Sequence, residues 1–306
     1  MIENFISPEK IVTEDVSALF STDSSISVKV LRLDKIHPVV SGNKYFKLKY
    51  NIFEAKNRCS EKILSFGGAY SNHIRALAFT AMKEGVRAIA VIRGEELNPS
   101  NYSLKYAASC GMEFRFVTRQ EYRLRNNHDF LNSLREKFGD FYLVPEGGSN
   151  SLAVKGCAEI IDYINEDFDY LAVSCGSGGT AAGLLEGLSG HKKLLIFPAL
   201  KRFEFLSDDI RKLNYSYNKR IFSNYEFVPG YDFGGYAKKK QELTEFIEAF
   251  EKRSGIPLDF VYTGKLFYGI SEEIKKGRFR PGDRIVIIHT GGYFYDEDES
   301  GNVRKL

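Results

Sequence analysis

At 306 residues the chain is long enough to bury a large core and stands near the size at which single cores give way to two domains. Hydrophobic residues make up 43% and charged residues 27%, as in ordinary globular proteins, and 43 basic against 40 acidic residues leave a formal charge of +3 spread along the chain. Such a balance offers no patch for nucleic acid or an anionic membrane, so neither is an expected partner.

No apolar run approaches the roughly 18 residues that a membrane span needs. The start, MIENFISPEK, lacks the basic stretch and apolar centre of a secretory leader, so a cytoplasmic protein is expected. Cys59, Cys110, Cys157 and Cys175 are far apart with no C-x-x-C spacing, which argues against a zinc site or a disulfide framework. The five histidines show no H-x-x-x-H pairing, and no metal centre is expected.

In chain order, Ile26 to Leu33 alternates as a strand, and IHPVVSGN turns the chain toward Lys44. Behind that Ser-Gly-Asn turn, Tyr45, Leu48, Ile52 and Ala55 recur at a helical period. Lys44 therefore sits at the mouth of a helix and Lys47 one turn on, although lysines as a class are usually solvated surface groups. Strands are then predicted at Ile63 to Phe66, Ala88 to Ile92, Glu113 to Val117 and Phe141 to Val144. Helices alternate with them, carried by Ile74, Leu77, Ala78 and Ala81, by Tyr102 to Cys110 and by Phe130 to Phe138. Strand followed by helix, repeated, implies α/β architecture with parallel sheets.

The stretch Gly147 to Ser151 (GGSNS) reads as the seam between two parts. Beyond it come a helix over Val154 to Ile164, a strand at Tyr170 to Val173, a glycine loop, a helix over Thr180 to Leu188 and a strand at Leu194 to Phe197. Lys238 to Glu251 and Lys265 to Lys276 read as amphipathic helices, Arg284 to His289 as a buried strand, and the polar tail YDEDESGNVRKL as peripheral.

Ligands of open α/β sheets collect where strands end and helices begin. SCGSGGT, Ser174 to Thr180, is such a place: its glycines let backbone amides approach an anion, and the helix that follows adds partial positive charge. It matches neither the nucleoside-triphosphate loop G-x-x-x-x-G-K-[ST] nor a G-x-G-x-x-G dinucleotide fingerprint; the alternative is a tight turn made for packing. In SFGGAYSNHIRAL, Ser71, Asn72 and His73 open a helix directly after a strand, where they can hold a carboxylate, serve as an N-cap, or both. Tyr236 in GGYAK, Tyr262 and Thr263 in VYTGK and Thr290 in IIHTGG complete the candidates; His289, at a strand end, reads as a satisfied core or rim histidine.

A lysine for a Schiff base, a cradle for one phosphate and neutral groups for a pyridine ring together suit pyridoxal 5′-phosphate. SGNKYFKLKY, FGGAYSNHIRA, CGSGGT, VYTGK and IHTGG, in this order from about Ile26 to Gly292, resemble the fold-type II pyridoxal-phosphate enzymes of the 1-aminocyclopropane-1-carboxylate deaminase/D-cysteine desulfhydrase family. The resemblance implies a tryptophan-synthase-β-like fold of two α/β domains: a larger one from 1–46 and 151–306, and a smaller one, 47–150, inserted after the lysine. It implies a homodimer and a small amino-acid substrate. Lys44 becomes the Schiff-base lysine beside Asn43, Lys47 the lysine reaching the phosphate, and Gly176, Ser177, Gly178, Gly179 and Thr180 the phosphate loop. Asn72 takes the ring hydroxyl, Ser71 the substrate carboxylate with His73 beside them, and Tyr236 and Tyr262 are the active-site tyrosines. Thr263 and Thr290 stand where cyclopropane-carboxylate deaminases are expected to carry glutamate and leucine, and this threonine pair resembles the D-cysteine desulfhydrase side. Phe46 replaces a common arginine, and Leu33 an acidic residue.

Overall fold

The computed structural model describes residues 2–20, 25–94, 101–292, 295–297 and 303–305. In chain order its strands are β1 (Thr13–Asp15), β2 (Ser27–Leu31), β3 (Lys62–Gly68), β4 (Arg87–Arg93), β5 (Glu113–Val117) and β6 (Tyr142–Val144). They continue as β7 (Tyr170–Cys175), β8 (Lys193–Pro198), β9 (Tyr225–Phe227), β10 (Arg284–Ile288), β11 (Tyr295–Glu297) and β12 (Val303–Lys305). The α-helices are α1 (Ser17–Phe20), α2 (Asn43–Asn57), α3 (Asn72–Glu84), α4 (Tyr102–Ser109), α5 (Arg119–Arg123) and α6 (His128–Phe138). After them come α7 (Ser151–Ala158), α8 (Gly179–Leu188), α9 (Phe205–Asn218), α10 (Gln241–Ser254) and α11 (Thr263–Lys275).

Two open sheets carry the molecule. One has the order β1-β2-β10-β7-β8-β9, parallel except for β1, which pairs antiparallel with β2; the other, β5-β4-β3-β6, is wholly parallel. Both faces of each sheet are buried, as parallel sheets require. In β7, Leu171 and Val173 join a core shared with Leu48 and Ile52 of α2, Leu77 of α3 and Leu184 of α8, whereas Ala172 faces Leu266 and Ile270 of α11. In β3 and β4, Ile63, Ala88 and Ala90 enter that same shared core, and Leu64, Phe66 and Val91 turn the other way, onto Leu134 of α6. Helices thus fill the space between the two sheets, α8 against β7 and β8, α3 against β3 and β4, and α2 touching both helices, while the candidate loops follow the C-terminal ends of β3, β7 and β10.

The periodic elements stand where their patterns place them, with three differences of detail. The helix expected from Lys238 starts at Gln241, because Tyr236 to Lys240 forms an exposed turn and linker. The helix expected from Val154 starts at Ser151, capped by the Asn150 side chain, and passes into a 3-10 turn at Glu159–Tyr163. In the polar tail, β11 and β12 pair antiparallel. Phe46 now has a cause: it is fully buried, its ring packs edge-on to Tyr163, and its carbonyl oxygen lies 1.9 Å from where a side chain on Gly156 would be. The pair lets α2 and α7 touch backbone to backbone, with an apolar ring where a guanidinium would be stranded.

Candidate active site

The turn before α2 fits only as glycine. Gly42 has φ +63°, and a Cβ there would sit 2.0 Å from the Thr290 carbonyl oxygen, so the turn presses directly onto the loop after β10. Asn43 then bridges. Its amide nitrogen donates to Thr180 Oγ1 at 2.7 Å, and its Oδ1 accepts from Lys44 Nζ at 2.7 Å. Burial above all, and then the Lys47 charge, bring the Lys44 ammonium down to about 7, against smaller opposing effects from Cys157 and Asp259.

Lys47 is buried and spent differently. Its Nζ donates to the Gly147 carbonyl (2.9 Å), Ser149 Oγ (3.0 Å) and Ser177 Oγ (3.4 Å), and the two serine hydroxyls are 2.7 Å apart. A Cβ on Gly179 would lie 2.6 Å from Ser149 Oγ and 3.1 Å from Lys47 Nζ; one on Gly176 would lie 3.0 Å from the Tyr262 ring. Gly178, at φ +76°, turns the chain into α8. An ammonium, two hydroxyls and the amides of a helix N-terminus therefore converge where a single side-chain carbon would intrude, which is the donor set and the clearance that a phosphate monoester needs.

Facing this cradle is the start of α3. Ser71 is its N-cap, with Oγ accepting from the Ile74 amide at 3.3 Å, and Asn72 Oδ1 accepts from Arg75 Nη2 at 3.1 Å. His73, grouped with them from the sequence, is turned inward: it is 2% exposed, its Nε2 is 2.8 Å from Ser65 Oγ on β3, and its ring backs onto Gly148, where a Cβ would lie 3.1 Å away. Burial, and after it the Lys44 and Lys47 charges, push the imidazole down to about 3, so it is neutral at physiological pH. In this geometry His73 supports the wall behind Lys47, where an inward packing contact has replaced the substrate contact read from its place in the SNH run.

At the other wall, the Tyr236 and Tyr262 rings meet edge-on with centroids 6.0 Å apart, Tyr262 against Gly176 and Tyr236 46% exposed at the mouth. Burial raises both phenols, that of Tyr262 well above the usual value, so both keep their protons. Thr263 is fully buried; its Oγ1 donates to Asp259 Oδ2 at 2.7 Å and accepts from the Asp259 amide at 2.8 Å. Asp259 also takes the amides of Val261, Tyr262 and Thr263, which caps α11. His289 is wholly buried between Asp34 (3.2 Å) and the Pro257 carbonyl (3.0 Å), as a strand-end core histidine should be. Thr290 contributes its backbone: its carbonyl accepts from the Asn43 amide at 3.4 Å.

Sequence reading missed Ser149 and Asp259. The first lay in a stretch read as a seam. The second lies four residues before the first helical residue, Thr263, further back than the position next to a helix where a capping side chain normally stands, so the sequence carries no signal for it.

A family profile described as pyridoxal-phosphate dependent enzyme matches residues 24–291. The chain belongs to this family. Within it the enzyme is 33% identical over 285 residues to a Thermotoga maritima protein named "Putative 1-aminocyclopropane-1-carboxylate deaminase", covering 88% of this chain and 89% of that one. It is 31% identical to the bifunctional D-cysteine desulfhydrase/1-aminocyclopropane-1-carboxylate deaminase of Arabidopsis thaliana, over 83% of this chain and 69% of that one. A crystal structure described as an ACC deaminase homologue superposes with a TM-score of 0.82 at 28% identity, covering 93% and 90% of the two chains. This pyridoxal-phosphate dependent enzyme is therefore ACC deaminase-like and of fold-type II, its cofactor is pyridoxal phosphate, and the cradle around Lys47 and Gly179 fits that cofactor's phosphate. Among the described residues no helix is long and apolar enough to cross a membrane.

Proposed function

We propose that this enzyme is a lyase acting on D-cysteine by α,β-elimination, giving hydrogen sulfide, pyruvate and ammonia. The supporting observation is Thr263: a neutral hydroxyl, with its proton engaged by Asp259, follows Tyr262 where a cyclopropane-opening relative is expected to carry a carboxylate. A carboxylate there would keep the pyridine nitrogen protonated and the electron sink strong, which a substrate without a Cα hydrogen demands. A neutral group suffices where a Cα proton can be removed and a thiolate leaves from Cβ.

When bound, pyridoxal phosphate holds the substrate amine covalently and withdraws electrons from Cα. Lys47, Ser149, Ser177 and the α8 N-terminus would hold the phosphate. Lys44, with its ammonium brought down to about 7, has a large neutral fraction at physiological pH and takes the Cα proton on Nζ. Asn43, fixed by Thr180, aims that nitrogen. Ser71 and Asn72 would orient the carboxylate and ring, and the protonated Tyr262 and Tyr236 phenols would position the substrate or give a proton to the leaving sulfur. Water then converts the remaining three-carbon fragment to pyruvate and ammonia.

The test is a panel of D- and L-cysteine, D-serine and 1-aminocyclopropane-1-carboxylate, read as sulfide, pyruvate and 2-oxobutyrate. Sulfide and pyruvate from D-cysteine are expected; their absence overturns the substrate assignment. The names of the relatives favour a second reading, cyclopropane-carboxylate deamination, which 2-oxobutyrate from that substrate would establish. A protein that binds the cofactor through Lys44 and turns over nothing in the panel would be a binding protein instead.

A further inference from the structure

Two residues into α11, past Thr263, lies a lysine with no role in the chemistry above. Lys265 is 2% exposed, yet its ammonium donates to carbonyl oxygens: Gly235 at 2.8 Å and, more distantly, Ala199 at 3.4 Å. Burial lowers its basicity, with Asp232 and Asp259 opposing at longer range. A charge held this way costs desolvation that a methionine of similar length would avoid, so space-filling does not account for it.

The two carbonyls identify what the charge joins. Ala199 follows β8, inside the sheet edge; Gly235 immediately precedes Tyr236. The loop around Tyr236 is strained: Phe233, Gly234, Gly235 and Ala237 have φ of +54°, +98°, +123° and +54°, which for Phe and Ala is a costly conformation. Its upstream end is fastened, since Tyr231 Oη donates to Glu273 Oε1 at 2.5 Å and its ring lies against α11 at Gly269. Among the described residues, the hydrogen bonds of 234–239 otherwise run within the loop, from Gly234 and Gly235 to Asp232 and from Lys238 to Gly235, apart from the contact of Tyr236 with Tyr262.

We propose that Lys265 is the positioning residue for Tyr236: its ammonium ties the Gly235 carbonyl to the end of β8 and so holds the exposed tyrosine against Tyr262 over the cleft. The latch itself stands on geometry; its effect on turnover rests on the reading that Tyr236 meets the substrate.

The experiment uses the cofactor-loaded enzyme and two variants, Lys265→Met and Lys265→Gln, each checked for cofactor absorbance and melting. Limited chymotrypsin digestion, followed by mass spectrometry, reports cleavage after Tyr236 independently of activity. Cleavage there is expected to quicken by about tenfold in Lys265→Met and by less in Lys265→Gln, which keeps a donor on a shorter arm. On the best panel substrate KM should rise more than kcat falls, and adding Lys265→Met to Tyr236→Ala should change kcat/KM less than twofold. Wild-type cleavage rates in both variants overturn the latch; fully additive effects with Tyr236→Ala overturn its action through Tyr236. If Lys265→Met does not fold, unaltered cleavage in Lys265→Gln overturns the proposal alone. Faster cleavage with turnover indifferent to Tyr236→Ala would support the latch and refute the substrate role of Tyr236, so the two claims fail separately.

Discussion

The two ends of the cleft are built by opposite means. At the phosphate end, Lys47, Ser149 and Ser177 bond one another, and a side chain on Gly179 or Gly147 would meet them at 2.6 to 2.8 Å. At the mouth, Tyr236 rides a half-exposed, left-handed loop tied down through its backbone. The first end is shaped for a group common to every enzyme using the cofactor, and one carbon added there must displace Ser149 or Ser177. The second is a loop on a rigid frame, where substrate choice can vary without disturbing the fold.

Four substitutions break or sharpen that contrast. The largest effect belongs to Lys44→Ala, which removes covalent attachment and the base together: turnover should fall by roughly 1000-fold or more, and the visible absorbance of the protein–cofactor linkage should vanish. An unchanged band would mean that another amine holds the cofactor. Next is Thr263→Glu, the exchange that tests the electron-sink argument. Because Thr263 Oγ1 already lies 2.7 Å from Asp259 Oδ2, it buries a second carboxylate beside the first. A loss of on the order of 3 kcal/mol in urea unfolding is expected, partly restored by Asp259→Asn. With Thr290→Leu added, any cyclopropane-carboxylate activity should rise relative to D-cysteine; an unchanged ratio contradicts the sink argument.

A smaller, pH-dependent effect follows from Lys44 in the cofactor-free protein. Folding lowers its ammonium from 10.5 to about 7, so the folded state is penalised wherever the unfolded chain is protonated. The penalty is full below about pH 7 and fades as pH rises to about 10.5. Lys44→Met should thus be the more stable protein by on the order of 2–3 kcal/mol at pH 6, with the gap closing at alkaline pH. A gap that is flat with pH would show that the native amine titrates normally. The smallest effect is Gly179→Ala, expected to weaken cofactor binding by about tenfold to a hundredfold while leaving the folded protein's melting within a few degrees. Equal affinity in a titration would mean that Ser149 swings away freely.

What the sequence disclosed, it disclosed through local repetition. The alternation of short apolar strands with helical periods placed both parallel sheets, and SCGSGGT announced an anion cradle because glycine spacing is itself the mechanism. What stayed hidden lives in contacts between distant segments. Ser149 looks like a linker residue until α2 brings Lys47 to it, and Lys265 looks like the polar side of an amphipathic helix until two carbonyls close around it. Phe46 seemed a departure from the family pattern while its surroundings were unknown; against Gly156 and Tyr163 it is a packing choice. His73, expected beside Ser71 and Asn72 at the substrate, instead points its ring at Ser65 of β3. One α-helical step of about 100° is enough to turn a side chain from the site to the core.

The contact of Gly42 with Thr290 has a consequence for synthesis. β10 lies in the middle of its sheet, paired on one side with β2 and on the other with β7, so a strand made well after both of its neighbours has to enter between them. Until it arrives, the Lys44 turn has no buttress and β2 no parallel neighbour. A nascent chain halted before Arg284 would carry Lys44, Lys47 and the glycine loop, yet would lack the wall that fixes their spacing. Competence to take up the cofactor therefore waits for β10, and the slow closure of so long a loop is the step at which exposed strand edges are most vulnerable to aggregation.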